Sequence, residues 1–470
     1  MTTPSPNHSI SQVVVGLRDV FDSGRTQDVS WRIDQLDALR RLLEENESRF
    51  FGALRDDLGK SVTEAWAAEL GFLLSEINFA RKNLRSWMRP TRVSTPLACQ
   101  PGRSWVEPQP LGLVLIIGAW NYPVGLLLGP LVGAVGAGNC GILKPSEQAP
   151  KTAALLEELL PLYLDTNCFS VVQGGAEETG GLLAERFDLI FYTGGAAVAK
   201  IVMRAASEHL TPVVLELGGK CPAIVDRDVD PATAGRRIAW GRFMNAGQTC
   251  VAPDYVLVDR DIEEPLIDGM VAAVEEFFGK QPDLSDDYGR IINNHHMQRL
   301  VDLLGKTTAT ATPNLQMVIG GRWDVESRYF APTILKGVSP DSPIMGEEIF
   351  GPILPVLSVS DVDEALEFVR SQPKPLAVYT FTHDKQVERR VLHRTSSGGV
   401  CINDVIMQLT ALGLPFGGVG DSGMGAYHGR HSFEAFSHKK AVMRRTLHPD
   451  LKLRYPPYDE TKLKWLRRLM

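Results

Sequence analysis

The sequence has no excess of positive charge. Its 470 residues include 49 lysines and arginines against 56 aspartates and glutamates, so the formal net charge is -7. Domains that bind nucleic acid usually carry a basic patch or stripe. The charge balance therefore argues against nucleic acid as a partner and favours a small-molecule ligand.

Paired cysteines and long apolar stretches are also missing. The six cysteines are widely and irregularly spaced, with no C-x-x-C pair, which indicates neither a zinc site nor a disulfide framework. No stretch reaches the roughly 18 apolar residues that a membrane span needs, and the N-terminus has neither the basic nor the apolar region of a signal peptide. We therefore expect a cytoplasmic protein in a reducing compartment.

What is present is the composition of an ordinary folded protein, with 44% hydrophobic and 22% charged residues. A chain of this length exceeds what one hydrophobic core usually organises, so two or more lobes are expected. Residues 1–88 have apolar side chains mainly at helical spacing. From residue 111 onward, short apolar runs alternate with helical stretches in two successive series, which predicts doubly wound, parallel α/β lobes.

Cys250 is a candidate nucleophile. It lies in NAGQTCVAPDY, after a polar loop, and the small residues around it would leave its sulfur approachable. The alternative is a buried structural cysteine, because free cysteine is among the most buried residue types.

Two further polar residues suit the chemistry of a covalent enzyme. Glu216 lies among valines and leucines in PVVLELGGK, where burial would raise the pKa of its carboxyl toward neutrality, as a general base requires. An outward-facing strand position is the alternative, since Leu215 and Leu217 flank it. Asn121, directly after an apolar strand, could aim its amide at a developing oxyanion, unless it only forms a turn.

Two strings fit the G-x-G-x-x-G pattern, at 136–141 and 418–423. Both are interpreted as chance matches, because the dinucleotide fingerprint must follow a strand and open a helix, and neither string is predicted to do so. A better phosphate site is FYTGG, where a predicted strand ends at Gly194 and Gly195 and a helix begins, since free N–H groups at a helix N-terminus bind phosphate. By itself this signal is weak.

A second cofactor signal is KPSEQ, which follows the predicted strand CGIL. Lys144 and Glu147 would lie at the carboxyl end of that strand and could bind ribose hydroxyls. Helix capping by Ser146 is the competing explanation.

Together these segments are more specific than any one of them. The sequence resembles the aldehyde dehydrogenase superfamily over nearly its whole length, most closely the class 3 and fatty aldehyde branch. The resemblance rests on segments that occur in family order: WNYP, LKPSE, FYTGG, TPVVLELGGK, FMNAGQTCVAPDY, DYGRII, EEIFGP, TSSGGVCIND, LPFGGVGDSGMGAYHG and RYPPY.

The resemblance implies NAD(P)-dependent oxidation of an aldehyde to its carboxylic acid, through a thiohemiacetal and then a thioester on Cys250. Glu216 would activate the hydrolytic water, and Asn121 would donate to the oxyanion beside the Cys250 backbone N–H. Because such donors accelerate reactions by about 10²–10³-fold, we expect Asn121→Ala to lose most turnover while substrate affinity changes less. The implied substrates are medium- or long-chain aliphatic or aromatic aldehydes.

The resemblance also implies the residues around the cofactor and the aldehyde. Glu147 near the ribose should disfavour a 2′-phosphate, so NAD is the expected cofactor, with NADP possible. Relatives usually have a serine or asparagine where this chain has Gly195, so one contact to phosphate is expected to be missing. The implied contacts are Lys144 and Glu147 to the adenine-side ribose, Gly194, Gly195 and Val198 along the pyrophosphate helix, Glu348 and Phe350 at the nicotinamide ribose and ring, and Tyr122 in the aldehyde pocket; no metal is implied.

The implied fold is α/β and aldehyde dehydrogenase-like, with a Rossmann-type cofactor lobe, a catalytic lobe and a small β arm for oligomerisation, in a homodimer. The predicted NAD(P)-binding domain comprises residues 1–88 and 111–217, and the predicted catalytic domain comprises residues 218–405. The predicted arm comprises residues 89–110 and 406–450, and the basic tail residues 451–470.

The basic tail differs from that of the fatty aldehyde relatives, which often end in a membrane span. Here Trp465, Leu466 and Leu469 mix with lysines and arginines in KLKWLRRLM, so no span is expected. Such a mixture could touch an anionic membrane surface, although charge-rich tails are usually only solvated.

Two other functions compete with this interpretation. A CoA-acylating relative would pass the thioester to CoA and generally lacks the glutamate base, so Glu216 favours hydrolysis. A catalytically silent binding or structural protein on the same scaffold would have no need of Cys250, Glu216 and Asn121 together.

Overall fold

A computed structural model describes residues 6–310, 313–450 and 452–469. The helices are α1 (Pro6–Asp22), α2 (Val29–Glu45), α3 (Glu47–Leu58), α4 (Val62–Ala65), α5 (Gly71–Trp87), α6 (Gly125–Ala137), α7 (Pro150–Tyr163), α8 (Ala176–Leu183), α9 (Ala196–Glu208), α10 (Pro231–Phe243), α11 (Glu263–Phe278), α12 (Asn294–Ala309), α13 (Val362–Ser371), α14 (Lys385–Arg394), α15 (Gly429–Ala435) and α16 (Glu460–Leu469).

The strands alternate with these helices over most of the chain. They are β1 (Thr91–Val93), β2 (Gly102–Pro110), β3 (Leu113–Ile117), β4 (Cys140–Lys144), β5 (Phe169–Val171), β6 (Leu189–Thr193), β7 (Val213–Glu216), β8 (Cys221–Val225), β9 (Pro253–Asp259), β10 (Gln316–Ile319), β11 (Trp323–Asp324), β12 (Tyr329–Phe330), β13 (Thr333–Lys336), β14 (Ile353–Val359), β15 (Ala377–Phe381), β16 (Gly399–Ile402), β17 (Gly423–Met424) and β18 (Ser437–Arg445).

The N-terminal helices form as their apolar spacing predicts. In α2, Leu36, Leu39 and Leu43 recur at intervals of three and four and are fully buried, so one face of the helix packs into the core. The side chain of Asp28 caps the helix by accepting from the backbone N–H of Ser30 at 2.7 Å.

The first sheet has the strand order β17-β7-β6-β3-β4-β5 within the described residues, and β3 to β7 run parallel. Every residue of β3, β4 and β6 is buried, as expected for a parallel sheet covered by helices on both faces. The chain proceeds from β3 to one side and returns to the other side at β6. Ligands bind at such a switch point, beyond the carboxyl ends of the strands.

The second sheet has the order β10-β13-β14-β9-β8-β15-β16 in the described part of the chain. Its strands are parallel except for β10, which is antiparallel to β13. A separate cluster of buried side chains surrounds this sheet. The two α/β lobes predicted from the alternation are therefore present, each with its own core.

The structure divides the segment 406–450 between the arm and the first lobe. As far as the chain is described, the arm is a three-stranded antiparallel sheet in the order β1-β2-β18. By contrast, β17 pairs with β7, and α15 packs against α5 and α6 with Phe433 in the first core. Only the final third of the predicted arm segment pairs with 89–110, because the aromatic side chains before it complete the first core.

The two G-x-G-x-x-G strings do not open helices after strands. Residues 136–141 span the end of α6 and the start of β4, and residues 418–423 lie in the loop before β17.

In the tail, α16 is a basic helix whose Trp465 is half-exposed, while residues 451 and 470 lie outside the described residues. None of the described helices combines the length and the apolar character needed to cross a bilayer.

Candidate active site

The predicted catalytic residues meet where the two sheets face each other. Glu216 ends β7 in the first sheet, and five residues later Cys221 begins β8 in the second. Cys250 lies just before β9, the neighbour of β8. The carboxyl edge of one sheet therefore opposes the amino edge of the other, at the cleft expected near LELGGKCP.

The loop before Cys250 is held in an uncommon backbone conformation. Asn245, Ala246 and Gly247 have φ values of 51°, 50° and 76°, all in the left-handed region. A Cβ at Gly247 would lie only 2.2 Å from the carbonyl oxygen of Gly351, so glycine is required there. Two left-handed residues that are not glycine are strained, and surrounding contacts must maintain them.

Cys250 is partly exposed, unlike the fully buried structural cysteine of the alternative reading. Burial of the sulfur raises the pKa of its thiol well above the ordinary value, and the nearby carboxyls of Glu216 and Glu348 raise it further. The thiol of Cys221 donates to the Cys250 carbonyl oxygen at 3.5 Å. The structure thus brings Cys250 and Glu216 together, as predicted.

Glu216 points inward, which rules out the outward-facing strand position. It is 2% exposed, and neither carboxylate oxygen has a hydrogen-bond partner among the described residues. Burial alone raises the pKa of this carboxyl well above its ordinary value.

Asn121 joins the turn after β3 to residues 245–250. This segment is called the nucleophile loop, after the role predicted for Cys250. Its side-chain Nδ2 donates to the carbonyl oxygen of Gln248 at 3.0 Å, and its own carbonyl oxygen accepts from Asn245 Nδ2 at 2.8 Å. A side-chain amide carries two hydrogens. Among the hydrogen bonds of the described residues, only one of these hydrogens has an acceptor, the Gln248 carbonyl oxygen.

Tyr122 lies on the same turn and is also tied to the nucleophile loop. Its hydroxyl is 2.6 Å from the Thr249 hydroxyl, the residue before the nucleophile. Burial and the nearby Glu64 carboxyl raise the pKa of the phenol well above its ordinary value, so it stays protonated.

Two charged residues behind this turn were missed by sequence reasoning. Lys60 and Glu69 form an ion pair whose side chains are both fully buried, and Lys60 also donates to the Asn121 carbonyl oxygen. A lysine that follows the amphipathic α3 is typical of a solvated helix end. No spacing rule links it to a residue sixty-one positions later. Only the packing of the N-terminal helices on the turn after β3 reveals the contact.

Lys144, at the end of β4, and Glu147, shortly after it, are predicted to bind a ribose and lie next to each other. Lys144 is buried, and its Nζ lies 2.9 Å from the Pro145 carbonyl oxygen and 3.4 Å from Glu147 Oε2. The Glu147 side chain is half-exposed, so its carboxylate remains open to a ligand. The Ser146 hydroxyl accepts a long hydrogen bond from the Gln148 backbone N–H at 3.3 Å, and Ser146 is not the N-cap of α7.

The phosphate site predicted at FYTGG follows β6, at the switch point of the first sheet. A Cβ at Gly194 would lie 2.3 Å from the Tyr192 hydroxyl oxygen, so this position has no room for a side chain. A Cβ at Gly195, the N-cap of α9, would meet nothing within 4 Å. Val198 is exposed on the first turn of α9. The helix start is therefore open to an anion.

On the other side of Cys250, the loop with Glu348 and Phe350 is held by charged residues of the second lobe. Arg299 donates to the carbonyl oxygen of Ile349 at 2.5 Å and lies 3.4 Å from that of Phe350. These contacts maintain the left-handed φ of 44° at Phe350, whose ring meets that of Trp120 edge-on at 5.2 Å.

Glu348 precedes Phe350 by two residues, and its carboxyl lies beside Gly218, in the space that a side chain at that position would need. Burial raises the pKa of the carboxyl to about 8. Its Oε1 has no hydrogen-bond partner in the described chain, which leaves an acceptor for a hydroxyl group. An open helix start, a lysine–glutamate pair and this acceptor fit a dinucleotide cofactor extended along the cleft.

Comparison with known proteins agrees with this geometry. The aldehyde dehydrogenase family profile matches residues 7–442. The chain belongs to the aldehyde dehydrogenase family. It is 48% identical over 451 residues to "Aldehyde dehydrogenase, dimeric NADP-preferring" of Rattus norvegicus, covering 96% of this chain and 98% of that one. It is 49% identical over 454 residues to "Aldehyde dehydrogenase family 3 member B1" of the same organism, covering 96% and 95%.

Solved structures show the same fold. The substrate-bound state of Staphylococcus aureus AldH has a TM-score of 0.94 and 43% identity, covering 98% of this chain and 99% of that one. An NAD-dependent aldehyde dehydrogenase from Sinorhizobium meliloti has a TM-score of 0.86 and 27% identity, covering 95% and 88%. The predicted family, branch and fold are confirmed. This aldehyde dehydrogenase oxidises aldehydes to carboxylic acids with NAD(P) as cofactor.

The unpartnered Glu216 carboxyl makes folding stability depend on pH. The ordinary pKa of a glutamate carboxyl is 4.5, and the pKa of Glu216 in the folded enzyme lies well above it. Between these values the folded enzyme holds a proton that the unfolded chain releases, so stability falls as pH rises. We expect Glu216→Gln, which cannot ionise, to gain melting temperature relative to the native enzyme as pH increases.

Thermal unfolding followed by circular dichroism from about pH 5 to pH 9 measures this difference across the relevant window. Glu208→Gln, which removes an exposed carboxylate from the end of α9, is the matched control and should show no such trend. A constant difference between Glu216→Gln and the native enzyme at all pH values would contradict the prediction.

Proposed function

We propose that Cys250 is the nucleophile, Glu216 the general base and Asn121 an oxyanion donor in this reaction. The observation that carries the proposal is the partly exposed residue Cys250 beside the buried, unpartnered carboxyl of Glu216. The Cys250 sulfur attacks the aldehyde carbon and forms a thiohemiacetal. The free amide hydrogen of Asn121 and the Cys250 backbone N–H stabilise the charge on the aldehyde oxygen.

A nicotinamide ring held in the cleft would supply the hydride acceptor for the carbon atom attached to sulfur. With loss of the hydroxyl proton to water, the thiohemiacetal on Cys250 would then become a thioester. Glu348 and Phe350 would hold the nicotinamide ribose and ring, Lys144 and Glu147 the other ribose, and Gly194, Gly195 and Val198 the pyrophosphate side. Backbone N–H groups at the start of α9 supply the phosphate contacts, since Gly195 has no side chain to add one.

Ionised Glu216 then takes a proton from water, and the resulting hydroxide equivalent attacks the thioester carbonyl. The carbon–sulfur bond breaks, the carboxylic acid leaves, and Cys250 recovers its thiol. The raised pKa of Glu216 supports this role, because a base must hold a proton in one step and release it in another. This step favours water over CoA as the acyl acceptor.

The proposed substrates are medium- or long-chain aliphatic or aromatic aldehydes, with Tyr122 lining their pocket. For the cofactor we propose NAD in preference to NADP, because the half-exposed Glu147 carboxylate would repel a 2′-phosphate. A similar protein from Rattus norvegicus is named NADP-preferring. The nearby Lys144 ammonium weakens the repulsion, so the expected preference is modest.

Formation of reduced cofactor by the purified enzyme tests these roles, with NAD and NADP each combined with a panel of aldehydes. Cys250→Ser should abolish reduction, because a serine hydroxyl is a far weaker nucleophile at neutral pH. Cys401→Ser, which alters a partly buried cysteine on β16, is the matched control and should retain activity. Undiminished reduction in Cys250→Ser would contradict the proposed nucleophile, and no reduction by the native enzyme would favour a silent scaffold.

We further propose that the arm sheet joins two copies of this chain into a dimer. Support comes from its exposed apolar side chains, including Val93 and Met443 on two of its strands, and from the word dimeric in the name of a similar protein. Light scattering coupled to size exclusion should give twice the mass of one chain. Met443→Asp should shift the mass toward one chain, whereas Asp421→Ala in the loop before β17 should not. A single-chain mass for the native enzyme would contradict the proposal.

Weak contact of the basic tail with anionic membranes is a separate proposal. It is supported by the half-exposed Trp465 on a helix rich in lysine and arginine. Sedimentation with phosphatidylserine vesicles should decrease when residues 459–470 are deleted and when salt is raised. Sedimentation that is unchanged by the deletion would end the proposal.

A further inference from the structure

We propose that the buried ion pair of Lys60 and Glu69 is a positioning device that sets the place of the Asn121 amide relative to Cys250. The inference rests on the proposed role of Asn121 as an oxyanion donor. Neither charged residue touches the reacting atoms, so both act through the turn that carries Asn121.

Lys60 holds the start of this turn. Its Nζ lies 2.6 Å from Glu69 Oε1 and 2.9 Å from the Asn121 carbonyl oxygen. The same ammonium lies 4.0 Å from the centre of the Tyr122 ring. A lysine ammonium has three N–H donors. The neighbours of this ammonium are the Glu69 carboxylate, the Asn121 carbonyl oxygen and the aromatic face of Tyr122.

Glu69 holds the end of the turn. While its Oε1 binds Lys60, its Oε2 accepts from the backbone N–H of Val124 at 2.9 Å and of Gly125 at 3.1 Å. Gly125 begins α6, so the carboxylate lies at a helix N-terminus, where negative charge is favoured. The ion pair therefore clamps the segment from 121 to 125 at both ends.

The clamp extends to the nucleophile loop through Asn121. The carbonyl oxygen that accepts from Lys60 also accepts from Asn245 Nδ2, and the Asn121 amide donates to Gln248. Moving this carbonyl oxygen would move the oxyanion donor and disturb the strained backbone at Asn245. A displacement of about 1 Å in a catalytic constellation can cost on the order of 10²-fold in rate.

Stability does not explain why two charges are buried here. Replacing a buried ion pair by apolar residues of similar volume is often neutral or stabilising, because desolvation offsets the attraction between the charges. An apolar pair could fill the space but could not hold a carbonyl oxygen and two N–H groups in fixed directions. The hydrogen bonds to the turn are what the charged pair adds.

A double-mutant cycle on kcat tests the inference with native enzyme, Asn121→Ala, Lys60→Met and the double variant. Asn121→Ala should lower kcat by about 10²–10³-fold. Lys60→Met should lower kcat by up to about 10²-fold with little change in KM. If Lys60 acts through Asn121, the double variant should be no slower than Asn121→Ala. Multiplication of the two losses would overturn the inference.

The cycle separates this inference from the proposed function beneath it. Full kcat in Asn121→Ala would remove Asn121 from the mechanism, and the positioning role with it. A slow Asn121→Ala combined with multiplied losses would leave the proposed function standing and overturn only the role of Lys60. Alkylation of Cys250 by iodoacetamide should keep the native pH profile in Lys60→Met, and a shifted profile would mean that Lys60 acts on the thiol instead.

Because Lys60→Met leaves Glu69 buried without its partner, it can unfold the enzyme. In that case the cycle uses Lys60→Met with Glu69→Gln, which removes both charges of the pair. The matched control is Arg32→Met. Arg32 is another buried cation that donates to carbonyl oxygens, those of Thr26 and Gly136, away from the cleft. The Arg32→Met variant should lower the melting temperature, leave kcat unchanged in the native background, and show no coupling to Asn121→Ala.

Discussion

Two hydrogen bonds at Asn121 connect the halves of the catalytic site. Its amide donates to the Gln248 carbonyl oxygen, and its carbonyl oxygen accepts from Asn245. Asn121 lies on the turn after β3 of the first sheet, and both of its partners lie on the loop before β9 of the second. These two hydrogen bonds set the distance between Cys250 and Asn121, the proposed nucleophile and oxyanion donor. They also hold the strained backbone before Cys250.

Burial determines the electrostatics of the cleft. Desolvation raises the pKa values of Cys250, Glu216 and Glu348 together, and each anion formed there would further oppose ionisation of the thiol. In the native fold the positive charges nearby are already engaged. Lys60 is engaged by Glu69, and Arg299 by carbonyl oxygens of the loop that carries Phe350. Burial therefore shifts all three groups toward their protonated forms.

The alternation of apolar runs was sufficient to predict two doubly wound lobes, because strands such as β3 and β6 are buried throughout and are made almost entirely of apolar residues. The catalytic residues could be proposed because their local sequences are unusual: a carboxylate among leucines at Glu216 and an approachable cysteine at Cys250. The division of 406–450 could not be foreseen. Proline- and glycine-rich sequence looks alike whether it pairs in the arm or, like β17, extends the first sheet beside Glu216.

By itself, the sequence determined the alternation of strands and helices in the two lobes, the order of the lobes and which reactive groups could be proposed. These follow from local spacing and side-chain chemistry, which are written along the chain. Only the tertiary structure decided which groups face each other. Lys60 and Asn121 are sixty-one positions apart, yet their contact is 2.9 Å long. Local spacing cannot specify such a pair, because it exists only after the N-terminal helices have packed against the first sheet.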